Sequence, residues 1–133
     1  MCGIVGLFLK DKSMEPQLGA LLTDMLITMT DRGPDSAGIA IYSSEEPDNA
    51  KLTVQSDTPE TDFLNLKSEL EKAIQCDLKI RVQSTHAVLE IQADQMNKAR
   101  VALKTIRPNV RVMSTGESLE IYKEVGLPKD VAS

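Results

Sequence analysis

A chain of 133 residues with 41% hydrophobic residues suits one packed domain or two very small ones. Its 15 Lys and Arg against 20 Asp and Glu leave a formal charge of -5, a field that disfavours nucleic acid, and 3% aromatic residues with no Trp offer few stacking platforms. The two cysteines, Cys2 and Cys76, form no CxxC pair, which argues against a disulfide framework or zinc site and for a reducing, cytoplasmic setting.

The apolar opening Ile4-Val5-Gly6-Leu7-Phe8-Leu9 is too short to span a membrane and lacks the basic residues of a signal peptide; it reads as a buried strand. Lys10 to Ser13 makes a polar turn, and Pro16 suits the first turn of a helix. Leu18, Leu21, Leu22, Met25 and Met29 then fall at helical spacing until Arg32-Gly33-Pro34 breaks the period, so the first helix ends near Thr30. Ala37 to Tyr42 reads as a strand, and the polar run from Ser43 to Asn49 as an exposed loop and domain boundary.

Beyond that loop the spacing predicts a strand over 52–56 and a helix over 60–75 with Phe63, Leu66, Leu70 and Ile74 on one side. Leu78, Ile80 and Val82 alternate with polar residues, as does the run from Ala87 to Gln92, which predicts a hairpin. Asp94 caps a further helix with Met96, Ala99, Leu103 and Ile106 inward, and Pro108 ends it before a strand containing Val110 and Val112. This strand-helix-strand-strand-helix-strand order predicts a ferredoxin-like βαββαβ unit, two helices on one face of a four-stranded antiparallel sheet. Leu119 to Tyr122 reads as a further strand or short helix, and Gly126-Leu127-Pro128 as a connector.

Chemistry concentrates at Cys2. Removal of Met1 would leave thiol and α-amine on one residue; a cysteine thiol of pKa about 8.5 is mostly protonated at neutral pH, whereas an α-amine of about 7.7 to 8.0 is partly free to take its proton. Such a pair suits attack on a carboxamide, proton delivery to the leaving nitrogen and hydrolysis of the thioester. From position alone, an ordinary buried thiol is the commoner outcome for a Met-Cys start.

The opening Met1-Cys2-Gly3-Ile4-Val5-Gly6-Leu7-Phe8 and the later Arg32-Gly33-Pro34-Asp35-Ser36-Ala37-Gly38 resemble class II glutamine amidotransferases, which are N-terminal-nucleophile hydrolases. The chain is most similar to the glutaminase subunits of glutamate-synthase-like and N-methylglutamate-synthase-like assemblies. The resemblance implies an α+β chain that starts an N-terminal-nucleophile (αββα) fold over 1–48, carries a ferredoxin-like insert over 49–115 and ends in a connector over 116–133. It implies Cys2 as nucleophile, with Arg32 and Gly33 beside it arranging its amino terminus. Turn chemistry is the alternative for Arg32 and Gly33, and it suits Asp35 and Ser36 at least as well as substrate contact does. Gly3 and Gly6 either ease strand packing or let backbone approach substrate.

The family's other segments are absent: a Gly-His-Thr-Arg stretch, an Asn-Gly pair forming the oxyanion hole and a Gly-Asp pair binding the substrate amine. Thr85-His86 does not match the first, since Ser84 precedes it and Ala87 follows. The expectation is therefore the nucleophile-bearing part of a glutaminase, from a truncated frame or from a split enzyme completed by a second chain. Its substrate is glutamine, its ammonia goes to a synthase subunit, and it needs no metal or organic cofactor. The alternative is a non-catalytic interaction or regulatory module that keeps a remnant motif. His86, without Cys or acidic neighbours at ligand spacing, reads as a surface turn residue, and Cys76 as an inert, at least half-buried thiol. Lys98, Arg100, Lys104, Arg107 and Arg111 form a basic stretch that reads first as a solvated face and second as a dock for an acidic partner.

Overall fold

The computed structural model describes residues 2–42 and 48–132. Most of the expected loop, 43–47, lies outside them. The elements are α1 (Leu18–Ile27), β1 (Ser36–Tyr42), β2 (Asn49–Gln55), α2 (Pro59–Asp62), α3 (Leu66–Ile74), β3 (Lys79–Gln83), β4 (His86–Gln92), α4 (Met96–Ile106), β5 (Arg111–Gly116), β6 (Leu119–Val125) and α5 (Pro128–Val131). The chain is α+β, and it divides into two compact units, Met1–Ile39 with Lys123–Ser133, and Ala40–Tyr122.

The larger unit holds the core. Alternation along β2 sends Ala50, Leu52 and Val54 to one face, and β4 matches it with Ala87, Leu89 and Ile91. Against that face α3 packs Leu66, Leu70 and Ile74, and α4 packs Met96, Ala99 and Leu103. These are the inward positions that helical spacing predicts. The sheet runs β3-β4-β2-β5, with β4 and β5 both antiparallel to β2 and β3 antiparallel to β4. β5 carries a bulge: Thr53 faces Ser114 while Val54 faces Val112, so Met113 is the extra residue.

The single helix expected over 60–75 is broken into α2 and α3. Asn65 adopts φ 58°, a left-handed conformation that no helix continues through, and Asn tolerates it better than most side chains. Arg107 secures the break by donating Nε to the Asp62 carbonyl (2.9 Å) and Nη2 to the Leu64 carbonyl (3.0 Å), while its fork grips both oxygens of Glu69. Asp94 does not cap α4 either; it lies inside a 3-10 turn, Ala93–Gln95, that leads into the helix without a side-chain cap.

In the smaller unit the expected strand at 4–9 does not form. Residues 2–9 pair with no strand, and Ile4 and Phe8 are 92% and 85% exposed, because an apolar run becomes a strand only where another strand meets it. A 3-10 turn, Lys12–Gln17, replaces the expected polar turn; it contains Pro16 and is capped by the Asp11 carboxylate, which accepts from Ser13 N–H. α1 turns its predicted stripe, Leu18, Leu21, Leu22 and Met25, inward, yet each is only half-buried. α5 packs on α1, and β1 pairs with β6 in a two-stranded sheet. Leu119 to Tyr122 is thus strand, and the connector Gly126-Leu127-Pro128 leads into α5.

Candidate functional site

The chain beyond α1 is built to stop and turn. Met29 N–H donates to the Leu26 carbonyl, Arg32 N–H to Met29 (2.9 Å) and Gly33 N–H to Thr30 (3.1 Å), so a 3-10 turn, Thr30–Arg32, prolongs the helix by one tightening step. Pro34 then ends it by disfavouring the helical conformation of its predecessor. Against this turn lies Gly3. A Cβ built on Gly3 would stand 3.3 Å from Arg32 Cβ and 2.5 Å from Met29 Cε, so glycine is what lets the N-terminal segment seat here. The structure therefore brings the residue next to Cys2 against Arg32, while Cys2 itself is exposed. Gly33 is half-buried, and a Cβ there would meet nothing within 4 Å. Asp35 acts through its backbone, accepting from Gly126 N–H (3.0 Å).

Sequence reasoning missed a polar cluster in the larger unit, on the sheet face opposite the helices. Glu120 of β6 is 4% exposed, accepts from Lys51 (3.0 Å) and Arg81 (2.6 Å), and takes the Tyr122 hydroxyl hydrogen bond (2.8 Å). Burial pushes the Glu120 carboxyl up, but the hydrogen bonds from Tyr122 and Lys51 and the charges of Arg81 and Lys51 outweigh burial and hold it below the ordinary glutamate range. Tyr122 is pushed up to about 12 by burial, by its bond to Glu120 and by that carboxylate's charge. Its ring tilts over His86, centroids 5.3 Å apart. His86 is consequently buried at the start of β4, with Nδ1 3.1 Å from Thr85 Oγ1, and is not the expected surface turn residue. No local pattern betrays this cluster, since its members come from β2, β3, β4 and β6.

The basic stretch is mostly spoken for. Lys98 donates to the Ile74 carbonyl at the end of α3 (2.9 Å), Arg107 holds the α2–α3 break, and Arg111 grips Gln55 and Asp57. Cys76 is half-buried, its thiol facing the Asp77 carbonyl and Gln92. Among the described residues no group of three or more His, Cys, Asp or Glu could hold a metal, and no helix is long and apolar enough to cross a membrane.

Gly3 thus sits on the turn that contains Arg32, with Cys2 one residue before it. No family model matches the chain, and no solved structure does. The chain is 59% identical over 133 residues, its whole length, to a glutamine amidotransferase-like protein, GlxB, of Rhizobium meliloti (strain 1021). It is also 31% identical over 140 residues, covering 99% of the chain, to a putative glutamine amidotransferase of Methanothermobacter thermautotrophicus. These likenesses support a glutamine amidotransferase family for the chain. The chain spans less than half of each relative, 44% and 46%.

Proposed function

We propose that this chain is the nucleophile-bearing part of a class II glutamine amidotransferase. Once Met1 is removed, the Cys2 thiol attacks the side-chain carboxamide carbon of glutamine. The α-amine relays the thiol proton to the departing nitrogen, which leaves as ammonia, and water hydrolyses the thioester to glutamate and free thiol. The seating of Gly3 against Arg32 and Met29 carries the reading, because it fixes the residue following the nucleophile beside the side chain assigned to arrange its amino terminus. The relatives, both named as glutamine amidotransferases or like them, support a glutamine amidotransferase role, and the β3-β4-β2-β5 order supports the reading of the larger unit as a ferredoxin-like insert.

In this proposal the oxyanion donors and the groups that grip the α-amino and carboxylate ends of glutamine lie outside these 133 residues, in line with relatives more than twice as long. Loss of one oxyanion donor lowers a rate by about 100-fold to 1000-fold, so this chain alone should turn over glutamine barely if at all. The ammonia goes to a partner synthase subunit, in a glutamate-synthase-like arrangement.

Mass spectrometry tests the reading. The expected result is a chain lacking Met1 and labelled once, at Cys2, by a glutamine-analogue electrophile, with labelling lost in Cys2→Ala. An intact Met1-Cys2 end that stays unlabelled overturns it in favour of a non-catalytic module.

A further inference from the structure

The outer side of α4 and the free edge of the sheet form a groove of about 470 Å³ that the glutaminase reading does not use. Arg100, Val101 and Lys104 line one wall, and Pro108, Val110 and Val112 line the other. Two features set it apart from a plain solvated surface. Val101 is 69% and Val112 40% exposed, so apolar side chains stand open to water at its lip. Arg100 and Lys104, one helical turn apart, make no hydrogen bond or ion pair among the described residues, whereas Lys98, Arg107 and Arg111 of the same basic stretch all do. Two like charges at this spacing repel, a penalty that an acidic ligand reverses.

The backbone adds the third element. β5 is the end strand of the order β3-β4-β2-β5, and among the described residues its outer side pairs with no strand. The bulge at Met113 keeps the regular edge short, which limits it to a short segment and works against open-ended pairing of sheets.

We propose that this groove receives an extended, acidic segment of a partner protein. The segment lies along the outer edge of β5, sets alternate apolar side chains on Val101 and Val112, and presents carboxylates from the same face to Arg100 and Lys104. This inference is independent of the chemistry at Cys2.

The test uses the purified protein and a fluorescein-labelled peptide, Val-Thr-Glu-Thr-Val-Thr-Glu, whose one face alternates Val with Glu. Binding followed by anisotropy should weaken at least about tenfold in Arg100→Glu/Lys104→Glu and fall as salt rises. The matching Lys-for-Glu peptide should not bind, and peptide should slow amide exchange along β5. Both substituted positions are solvent-facing, so circular dichroism of the variant should be unchanged, and Val101→Ser should weaken binding without altering charge. Equal binding to wild type and double variant overturns the proposal, as does equal binding of the Lys peptide. A protein dimer that Arg100→Glu/Lys104→Glu dissociates also overturns it, by making the groove a contact between copies.

Discussion

Gly3 shows how much a missing methyl group decides. In Gly3→Ala the new carbon meets Met29 Cε, the movable end of a flexible side chain, and Arg32 Cβ, which is fixed to the backbone of a helical turn. The Met yields and the arginine does not, so the N-terminal segment shifts. A displacement near 1 Å lowers a rate by about 100-fold, so under the proposed function the full-length protein should lose glutaminase activity by about ten- to 100-fold with little change in melting temperature. Met29→Ala should restore little of it, because the contact with Arg32 Cβ remains. The Glu120 cluster acts on stability instead. Glu120→Gln removes the buried carboxylate that Lys51, itself 14% exposed, and Arg81 both meet, and should destabilise by about 2–3 kcal/mol at neutral pH in urea unfolding. The sign with pH follows from the shift: a carboxyl held low in the fold adds stability above its unfolded pKa of about 4.3 and loses it as pH falls through the folded value, so the gap to the variant should close in acid. Tyr122 works at the other end. Its raised pKa contributes stability that is complete below about pH 10 and is lost as pH rises through about 12. Ultraviolet titration of Tyr42→Phe, in which Tyr122 is the sole tyrosine, should show that high midpoint, and adding Glu120→Gln should lower it.

Among elements, the legible ones are those whose code is local. The inward stripe of α4 and the faces of β2 and β4 follow from spacing alone, because one amphipathic element facing one core imposes its period on the sequence. The break at Asn65 was not legible, since Phe63, Leu66, Leu70 and Ile74 keep helical spacing across it and all are buried; only the left-handed residue and a distant arginine reveal it. Arg107→Ala should therefore destabilise by about 2 kcal/mol, and Arg107→Lys should recover little, because an ammonium cannot reach two carbonyls and both carboxylate oxygens at once. Asn65→Gly should be neutral or slightly stabilising, while Asn65→Val should lose about 1–2 kcal/mol, both read from thermal melts. The strand expected at 4–9 failed for the converse reason. Pairing is non-local, and nothing in those residues says whether a partner strand is at hand. His86 belongs with it, buried by a tyrosine that arrives from β6.

At the scale of the molecule, the buried hydrophobic cluster runs from Ala50 to Val110 and so lies wholly within the larger unit. In the smaller unit α1 has no fully buried residue, and Ile4 and Phe8 face water. Apolar burial at about 25 cal/mol per Å² is the main term opposing chain entropy, so the two units must differ in stability even though they share one chain. A fragment of residues 40–122 should consequently fold alone and unfold cooperatively, with a midpoint within about 5 °C of the 133-residue chain. Amide exchange on the whole chain should divide the same way. Protection should be strong in β2, β4, α3 and α4 and weak over 2–35, because exchange reports the local opening free energy and few apolar contacts hold the second region closed. If 2–35 proved as protected as β2, the apolar face of α1 would be better packed than its exposure allows. The proposed glutaminase site would then need no further segment to order it. The expected contrast places the two N-terminal motifs on the part of the chain least able to hold them still, and the core on the part whose periodicity already spells it out.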